Sequence, residues 1–189
     1  RVNNVSDIVV CPAYPYLHAV SMLLNGSHVM LGAQNVSEYE NGALTGEVSA
    51  QMLHDFSCRY VIIGHNERRR LQGESDQRVA EKFVASQANG LIPILCVGES
   101  LADREEGNYL RTIQQQLQHV IDVVGLSAFA NAVVAYEPVW AVGTGKTATP
   151  DQAQEVHRFI RSQLGSLADD VRILYGGSVK PSNAQELFA

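Results

Sequence analysis

Two acidic residues and a histidine stand close behind apolar runs of the sequence. Glu137 follows the run AVVAY, and His65 follows YVIIG, with Glu67 two residues later. A carboxylate at the mouth of a buried strand becomes a base for a carbon-bound proton once a covering segment removes water from it. If Asn66 caps a helix, His65 lies at the positive end of that helix, whose field favours a neutral imidazole that donates a hydrogen bond. Structural roles stay open for both residues, a salt bridge for Glu137 and a strand-end histidine for His65.

Small residues at two strand ends indicate an anion site. GTGKTA lies at 143–148, and the run RILYGGS ends in Gly176, Gly177 and Ser178. Backbone N–H groups in such turns form nests that bind phosphate. We therefore predict that Gly143, Gly177 and Ser178 bind a phosphate. The alternatives are a simple tight turn at YGGS and an ordinary loop at 143–148.

The glycines of GTGKTA also invite two nucleotide-binding interpretations, and both fail. A P-loop needs a glycine five positions before Gly145, where Trp140 stands. A dinucleotide-binding turn should follow its strand directly, but Gly143 comes six positions after Glu137. The next strand also ends without the acid that would hold a ribose. We predict a mobile lid tip instead, with hinges in the segments PVW and KTA.

Short apolar runs alternate with helical patterns along the chain. The runs cover residues 7–13, 28–35, 59–66, 91–99, 131–139 and 171–178. They are apolar at nearly every position, which is typical of parallel strands covered on both faces. Helical periodicity predicts helices in 79–90, 108–125 and 147–165, with Thr149 as a cap and Gly125 as a stop. This alternation predicts an α/β fold with a parallel sheet.

The positions of the polar residues favour one such fold. Five of the six runs end in distinctive polar groups, namely Gln34-Asn35, His65-Asn66-Glu67, Glu99, Glu137 and Ser178. A site built from the carboxyl ends of many strands is typical of a (β/α)₈ barrel, whereas an open sheet concentrates its chemistry at one switch point.

Composition and charge exclude several classes of protein. The 189 residues are 46% hydrophobic and carry a net charge of −6, which fits one globular domain and argues against a nucleic-acid surface. No run approaches the roughly 18 apolar residues of a membrane helix, and RVNNVSD lacks a signal-peptide pattern. The three cysteines form no CxxC pair, and Cys11 and Cys96, which lie inside apolar runs, are expected to be reduced and buried. We expect a cytoplasmic protein without nucleic-acid or membrane partners.

Three long motifs together resemble one enzyme family. VIIGHNERR, AYEPVWAVGTGKTATP and ILYGGSVKPSNAQEL, in this order, resemble the triosephosphate isomerases, and the loop QNVSEYENGALTGEVSA fits the same family. The resemblance covers essentially the whole chain. It implies a homodimeric glycolytic barrel that interconverts dihydroxyacetone phosphate and glyceraldehyde 3-phosphate through an enediolate, without cofactor or metal. A glutamate base beside a neutral histidine is the established pattern of this family.

The resemblance also implies a role for each matching residue. Glu137 is then the base that moves a proton between C1 and C2, and His65 is the electrophile that polarises the carbonyl. Glu67 then supports the groups that contact the substrate without touching the substrate itself. Gly143 and Ser178, with Gly177, bind the phosphate through backbone N–H groups.

Two further expectations concern neighbouring segments. The loop at Thr45, Gly46 and Glu47 is expected to reach into the partner subunit of a homodimer. Asn66 departs from the family, which usually has serine at this position. Since both residue types cap helices, the fold should change little.

The chain matches six of the eight βα units of a barrel. We therefore expect a single but incomplete TIM-barrel domain over residues 1–189 that lacks the first and last units. The first unit would supply an asparagine and a lysine of the family's substrate pocket. The last unit would supply a pair of glycines that completes the phosphate site. The chain by itself is then expected to be inactive. The alternatives are a non-catalytic barrel fragment and another phosphate-binding barrel.

Overall fold

The structure is a computed structural model that describes residues 6–141 and 147–187. It divides into two compact units, one formed by Arg1–Ile63 with Gln77–Ile94 and the other by Gly64–Asp76 with Leu95–Ala189. Among the described residues, no helix has the length and apolar character needed to cross a membrane.

Strands and helices alternate along the described chain. In order they are β1 (Ile8–Val10), α1 (Leu17–Leu24), β2 (Val29–Ala33), α2 (Ala50–Asp55), β3 (Tyr60–Ile63), α3 (Asn66–Leu71), α4 (Asp76–Ala88), β4 (Ile92–Val97), α5 (Leu101–Glu105), α6 (Tyr109–Val124), β5 (Val133–Tyr136), α7 (Pro150–Gln163), β6 (Arg172–Tyr175) and α8 (Ala184–Leu187). Short 3₁₀ helices lie at Tyr14–Tyr16, Leu126–Asn131, Val139–Ala141 and Gly165–Leu167. Each strand lies inside one of the six apolar runs of the sequence.

The first unit holds β1, β2, β3 and the start of β4, hydrogen-bonded in that order. Ile8 is paired with Val29 and Gly32 with Tyr60, both in parallel register. Apolar side chains of these strands and of α4, such as Val61 and Phe83, are fully buried. The predicted parallel sheet is therefore confirmed for this part of the chain.

The second unit holds the end of β4, then β5 and β6, in that order. β5 and β6 are parallel, with Val133 opposite Arg172. On α6 a buried stripe forms at helical spacing, and the helix stops before Gly125, whose φ of 79° is open to glycine. Thr149 caps α7 through a capping box with Gln152, as the sequence predicted for the cap. All four residues of β5 are buried, which places the residue that follows them at the edge of a core.

Candidate active site

Glu137 leaves β5 at the carboxyl end of the strand and stays buried, with only 4% of its surface exposed. Its backbone N–H donates to the carbonyl oxygen of Val97, the last residue of β4, at 2.8 Å. The ladder between β4 and β5 thus continues to Glu137 itself. A buried carboxylate at this position needs hydrogen-bond donors around it.

Two glycines make room for Glu137. A Cβ atom at Gly98 would overlap the carbonyl oxygen of Glu137, and one at Gly176 would lie 3.0 Å from its Cγ. Gly176 also donates its N–H to the carbonyl oxygen of Tyr136 at 2.6 Å. The backbones that follow β4 and β6 therefore close on Glu137 from both sides. Sequence reasoning placed Gly176 in an anion nest and missed Gly98, because glycine after a strand is a weak signal.

His65 faces the carboxylate of Glu137. Its Nε2 lies 2.8 Å from Oε1 of Glu137, and its Nδ1 accepts a hydrogen bond from the backbone N–H of Glu67 at 3.3 Å. Since Nδ1 accepts, its lone pair is free of a proton, and the neutral ring carries its proton on Nε2. The Nε2–H group of the neutral imidazole thus points at the carboxylate of Glu137.

The structure corrects two details of the histidine prediction. His65 itself caps α3, and Asn66 is the first residue of that helix. The pKa of His65 is raised, chiefly by its hydrogen bond to Glu137, while burial of the ring opposes this change. The sequence argument considered the field of the following helix alone. A carboxylate in direct contact outweighs the partial charge of one short helix.

Asn66 supplies two further donors to Glu137. Its backbone N–H lies 2.9 Å from Oε2, and its Nδ2 lies 3.1 Å from Oε1, in a buried environment. Both carboxylate oxygens are therefore held by neighbouring residues of one segment. The sequence shows the departure from the family's serine, but nothing in it indicates that the amide reaches a residue 71 positions away.

Glu67 lies on the far side of His65 from Glu137. Its Oε2 is 3.8 Å from Nδ1 of His65, and 63% of its side chain is exposed. At this distance it influences the imidazole electrostatically and raises the pKa of His65 less than Glu137 does.

Arg69 anchors the turn that carries His65. Its Nε donates to the carbonyl oxygen of Gly64 at 2.7 Å, and its Nη1 forms an ion pair with Asp76. Gly64 has a φ of 66°, a conformation that favours glycine, so the chain turns sharply before His65. The motif NERRR gave no indication of which arginine performs this task.

The predicted phosphate ligands are only partly described. Gly143 lies outside the described residues, as does most of the predicted lid. Gly177 and Ser178 follow β6, where a side chain at Gly177 would overlap the phenol of Tyr175. Ser178 is exposed, and its carbonyl oxygen accepts from Nδ2 of Asn183 at 3.1 Å. Asn183 thus stabilises the turn, and Ser178 in this turn is open to solvent.

A fully buried carboxylate, Glu99, joins several elements next to the site. Its Oε1 accepts hydrogen bonds from Nε1 of Trp140 at 2.7 Å and from the hydroxyl of Tyr136 at 3.0 Å. Arg104 of α5 lies 3.4 Å from the same oxygen. Burial raises the pKa of Glu99, and these donors oppose that effect. The sequence marked Glu99 as a strand-end acid but not its partner Trp140, which sits in the predicted first hinge.

The loop predicted to contact a partner subunit lies in the first unit. Thr45, Gly46 and Glu47 are exposed. The N–H of Glu47 donates to the carbonyl oxygen of Leu44 at 3.0 Å, and Gly46 has a φ of 90°. The three residues form a tight turn that presents its side chains to solvent.

No group of histidine, cysteine, aspartate or glutamate side chains with metal-binding geometry occurs within residues 6–141 and 147–187. The three cysteines are free thiols. Burial raises the pKa of Cys11 and of Cys58 to about 11 each.

Comparison with known proteins decides the family. The family model described as triosephosphate isomerase matches residues 1–189. The chain belongs to the triosephosphate isomerase family. It is an isomerase with an α/β fold of the TIM-barrel class, in which six parallel-sheet strands are present among the described residues.

Individual relatives agree with this family. The chain is 59% identical to the triosephosphate isomerase of Nitrosomonas europaea over 189 residues, which cover 98% of the chain and 75% of the relative. It is 57% identical to the triosephosphate isomerase of Dechloromonas aromatica, with 96% of the chain and 75% of the relative covered. These comparisons support neither the expected inactivity of the isolated chain nor the two alternative functions.

Proposed function

We propose that the chain interconverts dihydroxyacetone phosphate and D-glyceraldehyde 3-phosphate, with Glu137 as the base and His65 as the electrophile. The observation that carries these two roles is the 2.8 Å contact between Nε2 of His65 and Oε1 of Glu137. It places a carboxylate and a donor N–H side by side at the ends of two strands. This is the pair of groups that an enediolate reaction requires.

The carboxylate of Glu137 takes the proton from C1 of dihydroxyacetone phosphate. The C–H bonding electrons form the C1–C2 double bond, and the carbonyl oxygen on C2 gains negative charge. Transfer of the hydroxyl proton from O1 to the negative oxygen on C2, together with return of the first proton from Glu137 to C2, gives the aldehyde. In the structure the carboxylate of Glu137 contacts His65 and accepts a hydrogen bond from Asn66. When Glu137 reacts, its contact with His65 is replaced by a contact with the substrate carbon.

His65 stabilises the negative oxygen through its Nε2–H group. The Glu67 N–H bound at Nδ1 orients the ring, so this donor is preorganised and needs little rearrangement during the reaction. Once Glu137 turns towards substrate, the contact that raises the pKa of His65 weakens, and the neutral imidazole becomes more favourable.

The phosphate of the substrate would be held by backbone N–H groups of Gly143 and Ser178, supported by Gly177. The exposed turn after β6 supports this assignment for Ser178. The reaction moves a proton between two carbons of one molecule and is redox-neutral overall, so we propose that it requires no cofactor. We further propose a cytoplasmic homodimer that acts in glycolysis and gluconeogenesis and contacts its partner through Thr45, Gly46 and Glu47.

A substitution at Glu137 tests the proposal. Glu137→Gln keeps the size of the side chain but removes the base, so kcat should fall by about 10²- to 10⁴-fold. A coupled assay of glyceraldehyde 3-phosphate formation measures this loss, and exchange of substrate hydrogen with D₂O should fall with it. Glu105→Gln, which changes an exposed glutamate of α5, is the matched control and should keep normal turnover. A Glu137→Gln protein with normal turnover would contradict the proposed base.

A further inference from the structure

Gln116 of α6 holds both backbone groups of a single residue next to the site. Its Nε2 donates to the carbonyl oxygen of Gly98 at 3.0 Å, and its Oε1 accepts from the N–H of Gly98 at 2.9 Å. Two hydrogen bonds from one planar amide fix the orientation of a peptide segment as well as its distance. The segment directly after β4 is therefore tied to the middle of α6.

Gly98 in turn touches the main chain of Glu137. A Cβ atom at Gly98 would overlap the carbonyl oxygen of Glu137 and lie 3.2 Å from its Cβ. The preceding residue, Val97, accepts the N–H of Glu137 at 2.8 Å. The backbone of Glu137 thus rests on the short segment that Gln116 positions.

The opposite side of Glu137 offers no compensating freedom. Gly176 donates to the carbonyl oxygen of Tyr136 at 2.6 Å, and a Cβ atom at Gly176 would lie 3.0 Å from Cγ of Glu137. Because Glu137 has close neighbours on both sides, a displacement of Gly98 also displaces the Cα–Cβ bond of Glu137. Such a shift changes the direction in which the carboxylate points.

We infer that Gln116 is a positioning residue for Glu137, acting through Gly98. This inference rests on the proposed role of Glu137 as the base. Gln116 contributes no group to the reacting atoms. It sets the backbone from which the carboxylate reaches the substrate carbon, and proton transfer depends steeply on that distance and angle.

Gln116→Met is the primary test. Methionine has a similar length and helix propensity but can form neither hydrogen bond to Gly98. Because a misplacement of about 1 Å costs about 100-fold in rate, we expect kcat to fall by about 10- to 100-fold. KM should change by less than about threefold, since the phosphate contacts of Ser178 lie on another strand end. Gln115→Met, at an exposed position of the same helix, is the matched control and should keep kcat within about twofold.

Gln116→Glu separates positioning from general loss of structure. A protonated carboxyl group both donates and accepts, so it can replace the amide at Gly98. The ionised carboxylate faces the carbonyl oxygen of Gly98 with another acceptor and repels it. The ratio of the variant's kcat to that of the unsubstituted protein should therefore rise as the pH falls, whereas Gln116→Met should show a flat ratio.

The outcomes are distinguishable. Equal kcat values for Gln116→Met and Gln115→Met would overturn the inference. So would a pH-independent ratio for Gln116→Glu combined with a lowered unfolding temperature, because that result indicates a stability role alone. If Glu137→Gln is active, the proposed base fails independently of any result at Gln116.

Discussion

At the residue scale, the carboxylate of Glu137 influences the charge of the His65 imidazole. The hydrogen bond to Glu137 raises the pKa of His65 above its ordinary value near 6.5. Glu137→Gln removes the negative partner, so the His65 pKa should fall in this variant. An NMR titration of the His65 ring protons measures the change directly. Glu67→Gln is the control, and it should lower the same pKa by less because Glu67 lies 3.8 Å from Nδ1.

The same contact links stability to pH. Since folding raises the pKa of His65, the contact stabilises the fold fully below about pH 6.5, and this contribution is lost as the pH rises through the raised value. We therefore compare the unfolding temperature of the unsubstituted protein with that of Glu137→Gln over a range of pH. The unfolding temperature of the unsubstituted protein should fall relative to that of the variant as the pH rises from acidic to alkaline values. A constant difference between the two proteins over that range would count against a charged contact.

At the element scale, Glu99 connects the end of β4 with β5, α5 and the 3₁₀ helix Val139–Ala141. Its Oε1 accepts from Trp140, Tyr136 and Arg104. Glu99→Gln weakens these contacts in a fully buried environment, so the free energy of unfolding should fall by about 1–3 kcal/mol. Denaturant unfolding measures this loss. Trp140 is the sole tryptophan of the sequence, and its emission should change in the folded variant as a local report.

Glu155 provides the comparison for Glu99. It lies 3.8 Å from the same Arg104, but 49% of its side chain is exposed. An exposed ion pair contributes about 0–1 kcal/mol, so Glu155→Gln should change stability little and leave Trp140 emission unaltered. Equal losses from the two substitutions would mean that burial of Glu99 does not set the strength of its contacts.

At the scale of the whole molecule, the exposed turn at Thr45, Gly46 and Glu47 is proposed to join two copies of the chain. Glu47→Arg reverses a charge in this turn without touching a core residue, so it should weaken dimerisation by at least about tenfold. Sedimentation over a range of protein concentrations measures the dissociation constant. Glu105→Arg makes the same charge change on an exposed site of α5 and should leave it unaltered. Identical dissociation constants for the two variants, or a monomeric unsubstituted protein, would refute the proposed contact.

Local patterns in the sequence were sufficient for the described strands, for α4, α6 and α7, and for some of the residues at their ends. Continuous apolar runs predicted all six described strands. The expected cover on both faces holds for β5, which is buried throughout, but is wrong for β1 and β6, which are partly exposed. Thr149 and Gly125 marked helix ends through backbone requirements that involve few neighbouring residues. Glu137 and His65 were found in the same way, as polar groups that interrupt apolar runs. The phosphate ligands, the single domain and the dimer stay predictions.

The sequence by itself thus determined which strands are followed by the candidate catalytic residues, an acid and a histidine at the carboxyl ends of parallel strands. Tertiary structure alone decided the partners. Asn66 and Glu137 are 71 positions apart, and Gln116 and Gly98 are 18 apart. Periodicity specifies which face of an element is buried, but it carries no information about which side chain of another element lies opposite. That depends on how strands and helices pack, and packing places Asn66, Gly98 and Gln116 around the residue that the sequence had already marked.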